Sequence, residues 1–123
     1  MWYDRLMSLT DTPDPIVDQL PKGLLEKMVA YLNPQKVVLF GSRARGNVHA
    51  DSDWDFLVVM DDDAPAEKLG WKAPYEARKG IHAAIDIILC RQSRFDDRID
   101  IVGSLPWIAT THGVVVYERS EKN

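Results

Sequence analysis

Two short motifs with the residues for chemistry lie ten residues apart in this chain. Gly41-Ser42 ends a run of strand-forming residues that begins at Lys36, and Asp53-Trp54-Asp55 opens a second run that continues to Met60. A turn of small residues that leaves a strand can present backbone N–H groups to a phosphate. Carboxylates at positions i and i+2 of a strand point to one face, and Mg²⁺ binds one or two carboxylates together with phosphate oxygens. The two motifs therefore predict a site for a nucleoside triphosphate.

A third carboxylate occurs later in the chain, where Asp86 interrupts the apolar run Ala84-Ile85-Asp86-Ile87-Ile88-Leu89. The flanking residues predict a buried strand, in which a lone aspartate would be neutral or excluded. A nearby metal ion removes this conflict, because its charge favours the ionised carboxylate. The alternative is an aspartate at a strand edge that pairs with Arg78 or Arg91.

The residues of the first motif have candidate roles at a phosphate. Gly41 has no side chain to block the approach of a phosphate, and Ser42 can bind one through its hydroxyl and backbone N–H. Ser42 can also cap a short helical piece at residues 43–45, which is compatible with phosphate binding. Arg43 is a candidate phosphate ligand or partner contact. Asp53 and Asp55 have the alternative of being ordinary solvated acids, and Trp54 is interpreted as a core or interface residue.

The elements that must position these residues alternate along the chain. The apolar patterns predict helices and strands in turn, ending with a strand, and indicate a small α/β or α+β domain. The predicted strands are 36–40, 53–60, 83–90 and 114–117. The first predicted helix can start at Pro21, has its apolar face at 24–32 and is ended by Asn33-Pro34. The next is 64–79, interrupted at Pro74. A third starts with a Ser93/Asp96 capping box and continues to Val102, followed by a further turn at 106–111.

Composition limits the possible classes of protein. The 123 residues suit a single domain, predicted at 21–119, with a flexible or docked lead at 1–20 and a frayed tail at 120–123. The single cysteine, the lack of a membrane-length apolar run and the lack of a signal-peptide pattern predict a cytoplasmic protein. A formal net charge of −4 argues against binding to a long nucleic acid.

The quoted motifs resemble those of the DNA polymerase beta-like nucleotidyltransferase superfamily, in which Gly-Ser is followed after ten residues by Asp-x-Asp. The segments Leu39–Gly46 and Asp51–Phe56 look most like its minimal nucleotidyltransferases, small bacterial and archaeal proteins often paired with a HEPN-domain partner. The resemblance extends from about Leu24 to Tyr117. It implies a small mixed sheet flanked by helices, and nucleotide binding at Gly41, Ser42 and Arg43.

The resemblance also implies a catalytic mechanism. Two Mg²⁺ ions, or Mn²⁺, would be bound by Asp53, Asp55 and Asp86, and Asp86 would help to take the proton from the attacking hydroxyl. The expected reaction moves AMP from ATP onto a hydroxyl of a partner protein, a tyrosine of a HEPN toxin, so that this chain would be an antitoxin. The alternatives are a non-catalytic module that masks a toxin and a nucleotidyltransferase that modifies a small molecule such as an antibiotic. An oligomer is also possible.

Overall fold

The computed structural model describes residues 15–46 and 53–120. Within these ranges the chain forms four strands, four α-helices and two short 3-10 helices. The strands are β1 (Lys36–Phe40), β2 (Trp54–Met60), β3 (Ile85–Arg91) and β4 (Val114–Glu118). The α-helices are α1 (Leu24–Leu32), α2 (Lys72–Arg78), α3 (Gln92–Arg98) and α4 (Leu105–His112), and the 3-10 helices are Pro15–Gln19 and Ala66–Leu69.

The four strands form one mixed sheet in the order β3-β2-β1-β4. β1 pairs antiparallel with both β2 and β4, whereas β2 and β3 are parallel. The register places Asp55 opposite Phe40 of β1 and opposite Asp86 of β3. The predicted fold class, a mixed sheet flanked by helices, is confirmed.

Helices cover both faces of the central strand β2. Phe56 and Val58 pack with residues of α1 and α2, and Leu57 and Val59 belong to a second cluster that includes residues of α3 and α4. A strand buried on both faces must be apolar at nearly every position, which explains the continuous run from Phe56 to Met60. Truncating one of these fully buried side chains to alanine should cost about 2–5 kcal/mol.

Helix α1 ends where its sequence predicts and begins at Leu24, three residues after the predicted start at Pro21. Leu24, Met28 and Leu32 recur every four residues and are all buried. The helix ends at Asn33, which has a φ of 50° and donates its backbone N–H to the carbonyl of Val29. Pro34 then prevents continuation of the helix.

The predicted helix 64–79 is divided at a different residue from the one expected. The 3-10 helix Ala66–Leu69 ends at Gly70, and Pro74 is the third residue of α2 instead of an interruption. The N–H groups of a first helical turn have no intrahelical acceptor, so proline is accepted there.

The predicted capping box at Ser93 and Asp96 is wrong. Strand β3 continues directly into α3, and Arg91 occupies the N-cap position. The backbone N–H of Ser93 donates to Asp62 Oδ1 at 2.9 Å, so a carboxylate from another part of the chain satisfies this first-turn donor. The helix ends at Arg98, and Val102 lies outside it and is 76% exposed.

The last predicted turn is a complete helix. Ser104 caps α4 by accepting the N–H of Trp107 at 3.2 Å, and Pro106 occupies the first turn. The expectations for residues 1–14 and 121–123 lie outside the described residues, and the domain limits 21–119 remain a prediction. None of the described helices has the length and apolar character needed to cross a membrane.

Candidate active site

The three aspartates identified in the sequence meet at one end of β2 and β3. Asp55 and Asp86 are register partners in the parallel pair, and Asp53 immediately precedes β2. One carboxylate oxygen from each residue lies within 4.8 Å of the others. The backbone N–H of Trp54 donates to the carbonyl of Ala84 at 2.9 Å, which fixes the start of β2 against the segment that leads into β3.

Asp86 is exposed on an edge strand, as the alternative expected and in contrast to the prediction of a buried strand. β3 is an edge strand, in which Ile85 and Ile87 are buried in the core and Asp86 and Ile88 are exposed. Side chains of a strand alternate between its faces, so a half-covered strand can carry an acid without desolvating it. The alternative partner Arg91 donates instead to the carbonyl of Asp62 at 2.6 Å and that of Ala64 at 3.1 Å.

Gly41, the residue after β1, lies directly against the carboxylate of Asp55. Its φ of +82° is in the left-handed region that favours glycine. A β-carbon at this position would collide with Asp55 Oδ2, so the close approach also requires the absence of a side chain. Gly41, the first residue of the Gly-Ser turn, therefore lies next to the carboxylate of Asp55.

The residues after Gly41 form a single hydrogen-bonded turn. The backbone N–H of Arg45 lies 3.2 Å from the carbonyl of Gly41 and 3.1 Å from that of Ser42. The N–H of Gly46 donates to the carbonyl of Arg43 at 3.3 Å. The helical piece predicted at 43–45 is thus one turn long.

Arg43 makes a contact that the sequence did not reveal. Its guanidinium carbon lies 4.0 Å from the centre of the Trp54 ring, and Trp54 is only 6% exposed within the core on the α1 and α2 side. Side chains alternate along β2, so this ring faces away from Asp55. A cation–π contact of this kind contributes about 0.5–2 kcal/mol. The structure brings Gly41 to the carboxylates, whereas the guanidinium of Arg43 is stacked on Trp54.

The three carboxylates repel one another in the absence of a cation. The pKa of Asp55 is raised above its usual range by burial, by the charge of Asp86 and by that of Asp53, in decreasing order. A divalent cation bound among the three would offset this repulsion, and oxygen donors in such a cluster suit Mg²⁺ or Mn²⁺. The donor set therefore fits the implied metal.

Asp55→Asn should stabilise the metal-free protein at neutral pH. A raised pKa means that folding disfavours the ionised carboxylate, so this penalty applies above the folded-state pKa and disappears as the pH falls through it. Urea denaturation with a chelator present should give Asp55→Asn the higher free energy of unfolding at pH 7, and the difference should decrease in acid.

Mg²⁺ should reverse the order of stability of the wild type and Asp55→Asn, because the ion should stabilise the wild-type protein and not the variant. Asp63→Asn, at an exposed position after β2, is the matched control and should behave like the wild type. Equal stability of Asp55→Asn and Asp63→Asn in the chelated samples would contradict the proposed repulsion.

Two solved structures share this fold. A protein assigned as a nucleotidyltransferase from Sulfolobus solfataricus superposes with a TM-score of 0.53 over 82% of this chain and 79% of its own, at 23% sequence identity. A toxin–antitoxin structure with AMP-PNP gives a TM-score of 0.54 over 81% of this chain and 75% of its own, at 18% identity. At these identities the similarity concerns the fold alone.

A comparison of sequences gives a match of higher identity over a shorter segment. The protein adenylyltransferase MntA of Aphanizomenon flos-aquae (strain 2012/KM1/D3) is 51% identical over 45 residues, which is 37% of this chain and 28% of that protein. The matched region is thus little more than a quarter of the relative. The family model described as "Nucleotidyltransferase domain" matches residues 21–108, which include the Gly-Ser turn and all three aspartates. The chain belongs to the nucleotidyltransferase domain family.

Proposed function

We propose that this protein transfers AMP from ATP to a hydroxyl group of a partner protein and releases pyrophosphate. The observation that carries the proposal is the convergence of Asp53, Asp55 and Asp86, with the left-handed Gly41 against Asp55. Membership of the nucleotidyltransferase family supports the reaction class. The partial similarity to a protein adenylyltransferase supports a protein as acceptor.

Each residue of the site has a role in this reaction. Asp53, Asp55 and Asp86 would hold Mg²⁺, which when bound supplies charge neutralisation at the triphosphate and activates the attacking hydroxyl. Gly41 leaves space for a phosphate, and Ser42 donates its hydroxyl and backbone N–H to the β- or γ-phosphate. Asp86 is exposed and accepts the proton of the acceptor hydroxyl.

The partner that we propose is a HEPN-domain toxin, with a tyrosine as the acceptor and this chain as its antitoxin. The fold similarity to a toxin–antitoxin structure with AMP-PNP and the partial similarity to MntA both favour such a pair. The predicted cytoplasmic location agrees with a reaction that consumes ATP.

The test is transfer to a purified HEPN-domain protein. Incubation with Mg-ATP should increase the intact mass of the partner by one AMP, and digestion should locate the adduct on a tyrosine. The double variant Asp53→Asn, Asp55→Asn should form no adduct. Neutralisation of the toxin by wild type without any adduct, with each of the four nucleotides, would replace the proposal with a non-catalytic masking module.

A further inference from the structure

A groove extends away from the carboxylates on the same face of the sheet. Asp86, Ile88 and Cys90 alternate along β3 and therefore share that face. Ile88 and Cys90 line a groove of about 280 Å³ between the sheet and helices α3 and α4. Two residues of a strand span about 6–7 Å, so the groove begins one side chain beyond the proposed catalytic base.

The floor and one end of the groove are apolar. Leu57 of β2 and Leu105 of α4 contribute to its surface. Ile88, on the edge strand β3, is 38% exposed. The loop between α3 and α4 that leads to this groove carries two more exposed apolar residues, Ile101 at 51% and Val102 at 76%. Exposed apolar side chains clustered around a cleft are typical of a surface that binds another protein.

Two arginines give the groove a positive charge. Arg94 and Arg98, one turn apart on α3, both line it. In the part of the chain that the structure describes, neither guanidinium forms an ion pair or a hydrogen bond. Arg119, by contrast, pairs with Asp61 at 3.1 Å. The positive groove occurs in a chain whose net charge is −4.

We infer that this groove docks a segment of the partner protein that combines acidic and apolar side chains and lies next to the acceptor hydroxyl. The inference rests on the proposed function, since it assigns the acceptor's position relative to Asp86. Guanidinium groups pair with carboxylates through two parallel hydrogen bonds, and the apolar floor accepts aliphatic or aromatic side chains. The triphosphate of the nucleotide is placed elsewhere, at the Gly41 turn and the three aspartates.

The test measures docking without nucleotide or metal, by fluorescence anisotropy of short labelled peptides with one central tyrosine. One peptide has acidic and apolar neighbours, a second has lysines in place of the acids, and a third has serines in place of the apolar residues. Wild type should bind the first peptide at least about tenfold more tightly than either of the others. The lysine peptide loses two charge pairs, and the serine peptide loses the apolar contacts.

Charge reversal supplies the matched comparison. The double variant Arg94→Glu, Arg98→Glu should bind the lysine peptide more tightly than the acidic peptide. It should keep the wild-type affinity for Mg-ATP in calorimetry. Lys72→Glu, Lys79→Glu makes the same change in net charge at exposed positions of α2 and at its end, and should keep the preference for the acidic peptide.

Each outcome decides the inference. Absence of peptide binding, equal binding of the three peptides, or an unchanged preference after reversal at Arg94 and Arg98 would overturn it. Loss of Mg-ATP affinity in that variant would assign the groove to the nucleotide and also overturn it. Docking with the expected preference, but without transfer of AMP to any peptide or partner, would support the docking surface and count against the proposed reaction.

Discussion

Asp86→Asn is expected to reduce the rate of AMP transfer by about 10²–10⁴-fold, the usual contribution of a positioned general base. Asparagine has nearly the same shape as aspartate but cannot accept the hydroxyl proton. Asp86 lies across from Asp55 on an exposed edge strand, where an acceptor can reach it. Because this task belongs to the transition state, we expect a much smaller loss of Mg-ATP affinity than of rate.

The measurements are single-turnover transfer to the partner and calorimetry with Mg-ATP. Asp100→Asn, at an exposed position after α3, should match the wild type in both. Equal losses of affinity and rate in Asp86→Asn would show that Asp86 acts through metal binding and would contradict its role as a base.

Gly41→Ala is expected to nearly abolish Mg-ATP binding and to destabilise the protein. The added methyl group would occupy the position of Asp55 Oδ2, so the carboxylate must move or the turn must open. The left-handed backbone and the collision should together cost about 2–4 kcal/mol of the free energy of unfolding. A displaced Asp55 can no longer act with Asp53 and Asp86 on one cation, so an affinity loss of about 100-fold is expected.

Gly46→Ala is the control for this substitution. Gly46 has a φ of +84°, close to the +82° of Gly41, but a β-carbon there would meet nothing within 4 Å. The backbone strain is therefore shared and the collision is specific to Gly41. Urea denaturation and calorimetry on both variants separate the two effects. If Gly46→Ala loses as much Mg-ATP affinity as Gly41→Ala, the close approach to Asp55 is not what the site requires.

The sequence by itself determined the features that depend on neighbouring residues. A glycine and serine after one apolar run, and two carboxylates two residues apart before the next, are local patterns, and the strand periodicity fixes their faces. The C-terminal end of α1 followed in the same way from Asn33 and Pro34. The mixed αβ class followed from the alternation of patterns.

Only the tertiary structure decided which distant groups meet. The parallel register of β2 and β3 brings Asp86 to Asp55, and the position of β3 at the sheet edge leaves Asp86 exposed. The sequence predicted a buried strand there, because hydrophobic flanks do not reveal whether a second face is covered. The first-turn N–H of Ser93 likewise found its acceptor on Asp62, a residue 31 positions away.

The orientation of the Arg43 side chain is another feature that the sequence alone does not predict. Its place after Gly41-Ser42 predicts a phosphate ligand or a partner contact, and in the structure its guanidinium lies over the ring of Trp54, which faces away from Asp55 because side chains alternate along β2. The conformation of a flexible side chain depends on the surfaces that it can contact, and those surfaces form only when the sheet folds. Local spacing therefore determined which residues could do chemistry, and strand register and order determined which of them share a site.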